Sequence, residues 1–225
     1  MEGETIRVRR TTRESAIDVA VAFRPPSPEV KARLKTPLPF FNHMLEHIAW
    51  RGELDLSVEV RLDGFFLAHV VTEDVGIALG RAIRTYVERH QGRGLSGYGF
   101  AYGALDEALA RAVVSFESRA GFFFDAGAVT LPEATEGVRS EDLIAFFEGF
   151  VQGALATVHL DLLKGRPRHG HHLWEAAFRA FGQALASALA RRSERTGLFA
   201  GVAGAIGWEV TVEEAPKGGE RPGEG

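Results

Sequence analysis

The sequence predicts an α+β protein built from one sheet-plus-two-helices unit used twice, with the helices on one face of each sheet. Three observations carry that prediction. Apolar residues alternate at period two in several short stretches, and they recur at helical spacing in four longer ones. The order strand, strand, helix, strand, helix runs through residues 5–90, then repeats with one extra strand through residues 98–192.

The elements follow in order. Ile17, Val19, Val21 and Phe23 share one face of a strand. Leu54, Leu56, Val58, Val60 and Leu62 share another, with Asp55, Ser57, Glu59 and Arg61 opposite. In the second half Ala112, Val114 and Phe116 mark a strand, and Phe122 to Phe124 belong to the next. A short strand carries Val158, Leu160 and Leu162 inward and His159 and Asp161 outward. Helical spacing covers residues 38–50, 69–90, 141–155 and 171–192. In the last of these Trp174, Phe178, Phe181, Leu185 and Leu189 form an amphipathic stripe. Turn-rich connections stand at RPPSPE (24–29), QGRGLSG (91–97) and KGRPRHG (164–170). Residues 1–92 are thus expected as a first half-repeat, 93–200 as a second, and 201–225 as a C-terminal extension whose end, from Ala215, is expected to be disordered. A sheet covered on one face leaves its other face for the second half or for neighbouring copies.

Composition narrows the function. The chain has 225 residues, 45% hydrophobic and 25% charged, enough for a substantial core. No apolar run approaches the ~18–20 residues that span a bilayer, and the polar start MEGETIRVRR lacks a signal-peptide core, so a cytoplasmic location is expected. The absence of cysteine excludes disulfides, thiolate metal ligands and thiol nucleophiles. A net charge of −4 argues against nucleic-acid or anionic-membrane partners.

The histidines are the chemical signal. Seven of the eight fall in clusters: His43 and His47 in HMLEH, His69 four residues before Glu73, His159 on the short strand, and His169, His171 and His172 before Glu175 in HGHHLWE. At i,i+4 on a helix an imidazole and a carboxylate stand side by side, so His69/Glu73 and His171/Glu175 each offer a ligand pair suited to Mn, Fe or Zn. Both pairs lie near a helix start at corresponding points of the two halves, and a duplicated pair predicts a duplicated metal site. One HxxxE alone is usually a solvated helix surface; the repetition and the adjacent histidines favour metal. His47 stays open between an outer partner of the site and a surface residue. His169 is expected in a loop, and His90 at a helix C-terminus.

Several segments resemble imidazoleglycerol-phosphate dehydratases. PFFNHMLEHIA is similar to that family's FLDHML segment, HVVTEDVGIALGRAI to HHTVEDVGIALG, LDEALARAVVSFESR to its DEAL and SGR segments, and TVHLDLLKGRPRHGHHLWEAAFRA to its LHI…G…HHxxEAxFKA segment. Arg10, Thr12, Glu14 and Ile17 match an RxTxETxI pattern. The resemblance implies a duplicated fold of the ribosomal protein S5 domain 2-like type. It also implies a large homo-oligomer with sites between subunits, two Mn2+ ions, and dehydration of imidazole glycerol phosphate to imidazole acetol phosphate. By position it implies His43, His69, Glu73, His159, His171, His172 and Glu175 as metal ligands, Glu14 as acid/base and Arg119 as a phosphate contact. Dehydration must remove a proton from a carbon with no adjacent carbonyl. An imidazole ring held by cations can lose its N–H and push electrons toward the leaving hydroxyl through a diazafulvene-like intermediate.

The resemblance breaks in places. The paired histidines before the first Glu are His69 and Val70, which leaves one metal a ligand short unless His47 or His169 replaces it. The two carboxylates expected before that pair are Leu67 and Ala68, and ARHG is AWRG at Trp50 and Arg51. An expected arginine is Gly97, and the C-terminal Ser/Thr-x-Lys-Gly segment reads ERTGLFAGVAGAIGWEV. Losing two charge-assisted phosphate contacts costs ~1.5–3 kcal/mol each, and Arg93, Lys164, Arg166 and Arg168 are candidate substitutes whose position the sequence does not give. Two alternatives therefore stand beside the dehydratase: a divergent paralogue with one metal and another small-molecule substrate, and a non-catalytic structural homologue.

Overall fold

A computed structural model describes residues 4–64, 66–204, 206, 207, 209 and 211; the tail from Ala215 lies outside them. In the first half, strands β1 (Thr5–Thr11), β2 (Ser15–Ala22), β3 (Leu34–Lys35) and β4 (Asp55–Leu62) form one sheet in the order β1-β2-β4-β3, with helices α1 (Pro39–Gly52) and α2 (Ala68–His90). After β5 (Arg93–Leu95), the second half repeats the pattern. Strands β6 (Tyr98–Leu105), β7 (Ala108–Ser115), β8 (Gly121–Asp125) and β11 (Thr157–Lys164) are ordered β6-β7-β11-β8, with helices α3 (Ser140–Ala154) and α4 (Gly170–Leu189). In both sheets three antiparallel neighbours are followed by one parallel strand: β3 on β4 and β8 on β11. The duplication expected from the sequence is present. The strand expected as extra, β8 at Phe122–Phe124, is the counterpart of the two-residue β3, each pairing in parallel with its sheet's central strand; the second half adds the small hairpin β9 (Ala134–Thr135) and β10 (Val138–Arg139), and β12 (Arg191–Thr196) pairs back onto β5.

Each helix begins and ends within three residues of its expected bounds. Pro39 at the first turn of α1 fits there because its missing N–H has no partner to lose. A left-handed Glu53 ends α1 and a left-handed Leu155 ends α3. The stripe Trp174, Phe178, Phe181 and Leu185 is fully buried, and the Trp174 indole N–H donates to Ser140 Oγ at 3.2 Å, joining the start of α3 to α4.

The halves meet crosswise, α1 against α4 and α2 against α3. The second crossing is closest. Gly76 and Gly80 on α2 face Gly149 and Gly153 on α3, and a Cβ at Gly76 would lie 2.2 Å from the Phe146 carbonyl oxygen. Backbones approach this closely only where side chains are absent. On the second sheet, Gly103 likewise lets β6 approach the α4 backbone at Ala176 and Ala180.

One buried polar anchor ties α2 to its sheet. Asp74 accepts from Ser15 Oγ at 2.5 Å and ion-pairs with Arg10 at 2.7 Å. Asp74→Ala should lower stability by roughly 1.5–3 kcal/mol, because Ser15 and the Arg10 guanidinium are left unpaired. Denaturant unfolding checks this, and an unchanged midpoint would remove the anchor role.

Candidate metal centre and active site

Both groups of His and carboxylate side chains close enough to share a metal ion among the described residues involve the start of α4. His171 and Glu175 stand one turn apart, as their spacing predicts, and His171 Nε2 lies 3.0 Å from Glu175 Oε2. Across the α1–α4 crossing, His43 Nε2 lies 3.4 Å from Glu175 Oε2 and His47 Nε2 lies 3.2 Å from Glu175 Oε1. Glu175 is buried, with only 6% of its side chain exposed, and Arg179 one turn further on also pairs with it. The ligand atoms of His43, His47 and Glu175 all lie within 4.8 Å of one another.

Local electrostatics prepare this group for a cation. Burial pushes the His47 imidazole down to about 4, so it is neutral near pH 7. Burial raises the Glu175 carboxyl, but its neighbours His47, Arg179, His171 and His43 together outweigh burial and hold the group below its ordinary value. His171 is the opposite case. Burial lowers it, but Glu136 at 2.6 Å from Nδ1 and Glu175 at Nε2 outweigh burial, and its pKa is raised. Glu136 is presented by the two-residue turn between β9 and β10, where Glu136 (φ 48°) and Gly137 (φ 81°) both take positive φ, the backbone of a tight hairpin. A carboxylate on Nδ1 fixes the ring so that Nε2 faces the cluster.

A second group forms beside the first. His172 Nδ1 lies 3.1 Å from Glu107 Oε2, and His169 pairs with the other oxygen of Glu107. These hydrogen bonds, from His172 and then His169, push Glu107 down to about 2. Glu107 sits in the tight turn from β6 to β7, after Asp106 in the left-handed region. His169, expected in a loop, closes a 3-10 turn (Pro167–His169) before α4 and takes part in this group.

The remaining expected residues are dispersed in the single chain. His69 and Glu73 stand at the start of α2, 3.6 Å apart, with His69 Nδ1 3.9 Å from the buried Asp142 on α3. Glu14 lies in the turn before β2, at the same end of the first sheet, because Ser15 bonds the Asp74 that follows Glu73. Its backbone carbonyl accepts from Asp63 and its side chain is exposed. His159 faces outward from β11 and stacks on Phe123, ring centres 4.8 Å apart. Arg119 is exposed just beyond the far end of β7. At ~3.3 Å per residue, β7 separates Glu107 from Arg119 by roughly 25 Å. His90 caps α2, its Nδ1–H donating to the Tyr86 carbonyl at 2.9 Å.

A family model described as imidazoleglycerol-phosphate dehydratase matches residues 36–185. The chain belongs to the imidazoleglycerol-phosphate dehydratase family. It is 38% identical to the imidazoleglycerol-phosphate dehydratase of Methylococcus capsulatus over 92% of this chain and 100% of that one. To the enzyme of that name from Nitrosomonas europaea it is 41% identical over 82% of this chain and 89% of that one. The crystal structure of the Pyrococcus furiosus protein superposes with a TM-score of 0.70 at 29% identity, covering 88% of this chain and 100% of that one. The Staphylococcus aureus structure gives 0.70 at 28%, covering 84% and 99%.

Set against the family pattern, one departure has a structural cause. Gly97, where an arginine is expected, takes φ 73°, and a Cβ there would meet Ala200 at 2.4 Å. The C-terminal segment packs where the side chain would go, so an arginine at this position would strain the backbone and displace that segment. Glu107, Glu136, Asp142 and Arg179 were not singled out from the sequence. Glu107 lies inside the DEAL segment and Arg179 inside the HHLWEAAFRA segment, which gave a signal; Glu136 and Asp142 had none beyond being charged. Among the described residues no helix is long and apolar enough to cross a membrane.

Proposed function

We propose that this chain is a cytoplasmic, metal-dependent dehydratase that converts imidazole glycerol phosphate to imidazole acetol phosphate in histidine biosynthesis. The reading rests on the buried Glu175 carboxylate, which receives imidazoles from both α1 and α4. Imidazoles around one carboxylate form a donor set that fits Mn, Fe or Zn, and Mn2+ is the expected ion. His43, His171 and Glu175 would hold one cation, and His69, Glu73, His159 and His172 the second. When bound, the cations supply charge stabilisation and orientation for the substrate ring.

The chain's own groups divide the remaining work. Glu14 presents an exposed carboxylate at the α2 end of the first sheet and moves the proton removed from the substrate carbon. Arg119 offers a planar fork for the phosphate. Because roughly 25 Å of strand separates Arg119 from Glu107, and His159 faces away from the α4 start, the full set comes together between copies of the chain. An outward row of Tyr98, Phe100 and Tyr102, each more than half exposed, with Phe123 on the same sheet, supports such a homo-oligomer. Turnover of imidazole glycerol phosphate by Mn-loaded protein tests the reading, and no conversion would end it. Metal content separates the alternatives: two ions per chain fit the dehydratase, one the paralogue, none the structural homologue.

Metal affinity should depend on pH through His171. Its folded pKa is raised, so the protonated ring stabilises the metal-free fold fully below pH 6.5, and that contribution is lost as pH rises through the folded value. A cation needs the deprotonated ring, so affinity moves the other way. It should strengthen as pH rises through that range, by up to about tenfold per unit where one proton is displaced. Mn2+ calorimetry in two buffers of different ionisation heat should show about one proton released per ion near pH 6.5. A pH-independent affinity would overturn the assignment of His171.

A further inference from the structure

We infer that His47 is itself a metal ligand, so that one copy of the chain contributes three imidazoles and one carboxylate to the α1–α4 site. The inference rests on the metal reading above and adds a residue the family pattern does not assign. His47 Nε2 lies 3.2 Å from His43 Nε2 and 3.2 Å from Glu175 Oε1, while His171 Nε2 lies 3.0 Å from the other Glu175 oxygen. Ligands bound to one ion at ~2.0–2.2 Å stand no more than about 4.4 Å apart; the ligand atoms of His43, His47 and Glu175 lie within 4.8 Å of one another, so they need move only a few tenths of an ångström, and His171 reaches the set through the shared carboxylate.

The position is held by packing. His43 and His47 occupy i,i+4 on the face of α1 turned toward α4, with ring centres 4.5 Å apart. Gly182 on α4 lets α1 approach so closely that a Cβ there would be 3.2 Å from the His47 carbonyl. The His47 side chain is 15% exposed, against 37% for His43, so it lies deeper in the crossing. Arg179 also bonds Glu175, but each carboxylate oxygen has two lone pairs and can serve both a guanidinium and a cation.

This explains how the chain carries Val70. The paired-histidine pattern of α2 is one imidazole short there, and His47 restores the missing imidazole from α1. Titration of the full-length protein with Mn2+ and with Zn2+ tests the proposal on wild type, His47→Gln, His47→Asp and His171→Ala, with thermal unfolding in EDTA as the folding control. His47→Gln should weaken one class of site by at least about 10–100-fold, the range for losing even an outer partner. His47→Asp, which keeps a ligand atom, should bind more tightly than His47→Gln. If His47→Gln and His47→Asp bind like wild type while His171→Ala loses the ion, His47 is no ligand and the metal reading stands. If His171→Ala also keeps its full metal content, both fall.

Discussion

Glu175→Gln is expected to lose the metal at the α1–α4 site and to lower kcat by roughly a thousandfold or more, since charge stabilisation by a bound cation contributes several kcal/mol. Glu175 is the one carboxylate on which His43, His47, His171 and Arg179 converge, and it is buried. The amide keeps the shape but removes the negative charge. It leaves the Arg179 guanidinium opposite a neutral group, at a cost of about 1–3 kcal/mol in the metal-free protein. Metal analysis, steady-state kinetics and a thermal melt in EDTA read these effects separately. A variant that keeps stoichiometric metal and wild-type kcat would remove Glu175 from the centre.

Gly76→Ala is expected to destabilise the fold by about 3 kcal/mol or more. Helix propensity alone predicts the opposite sign, because alanine exceeds glycine in a helix interior by about 1 kcal/mol. Packing wins here. The new methyl would lie 2.2 Å from the Phe146 carbonyl oxygen and 2.9 Å from the Phe150 nitrogen, and these are backbone atoms that cannot rotate away. Relief requires α2 and α3 to separate, which would also move His69 and Glu73 from Asp142. Gly149→Ala, facing the Glu73 carbonyl at 2.3 Å, should behave alike, and because the two substitutions strain one crossing their effects should not add. For a chain of this size 3 kcal/mol corresponds to roughly a 6–12 °C fall in Tm. A Gly76→Ala protein as stable as wild type would show that the crossing is looser than the geometry describes.

Much of the architecture was legible because its signals are local. Period-two alternation located β2, β4, β7 and β11, and the stripe through Trp174 and Phe181 located α4. The short pairs were not legible: β3, β9 and β10 are two residues each, too short for a period to register. At the site, His171 beside Glu175 and His69 beside Glu73 followed from spacing, since i,i+4 neighbours on a helix share a face wherever the helix lies. His169 was expected in a loop because PRHG reads as a turn, yet that turn aims its ring at Glu107.

The chain's own pattern determined the repeated unit, the helical registers and the two imidazole–carboxylate pairs, because each depends on residues within a few positions of one another. Only the tertiary structure decided that α1 crosses α4 and α2 crosses α3, so that His43 and His47 reach Glu175 while Asp142 reaches His69. Those meetings depend on which helix faces close together, and that is set by glycines and buried side chains far apart in the chain.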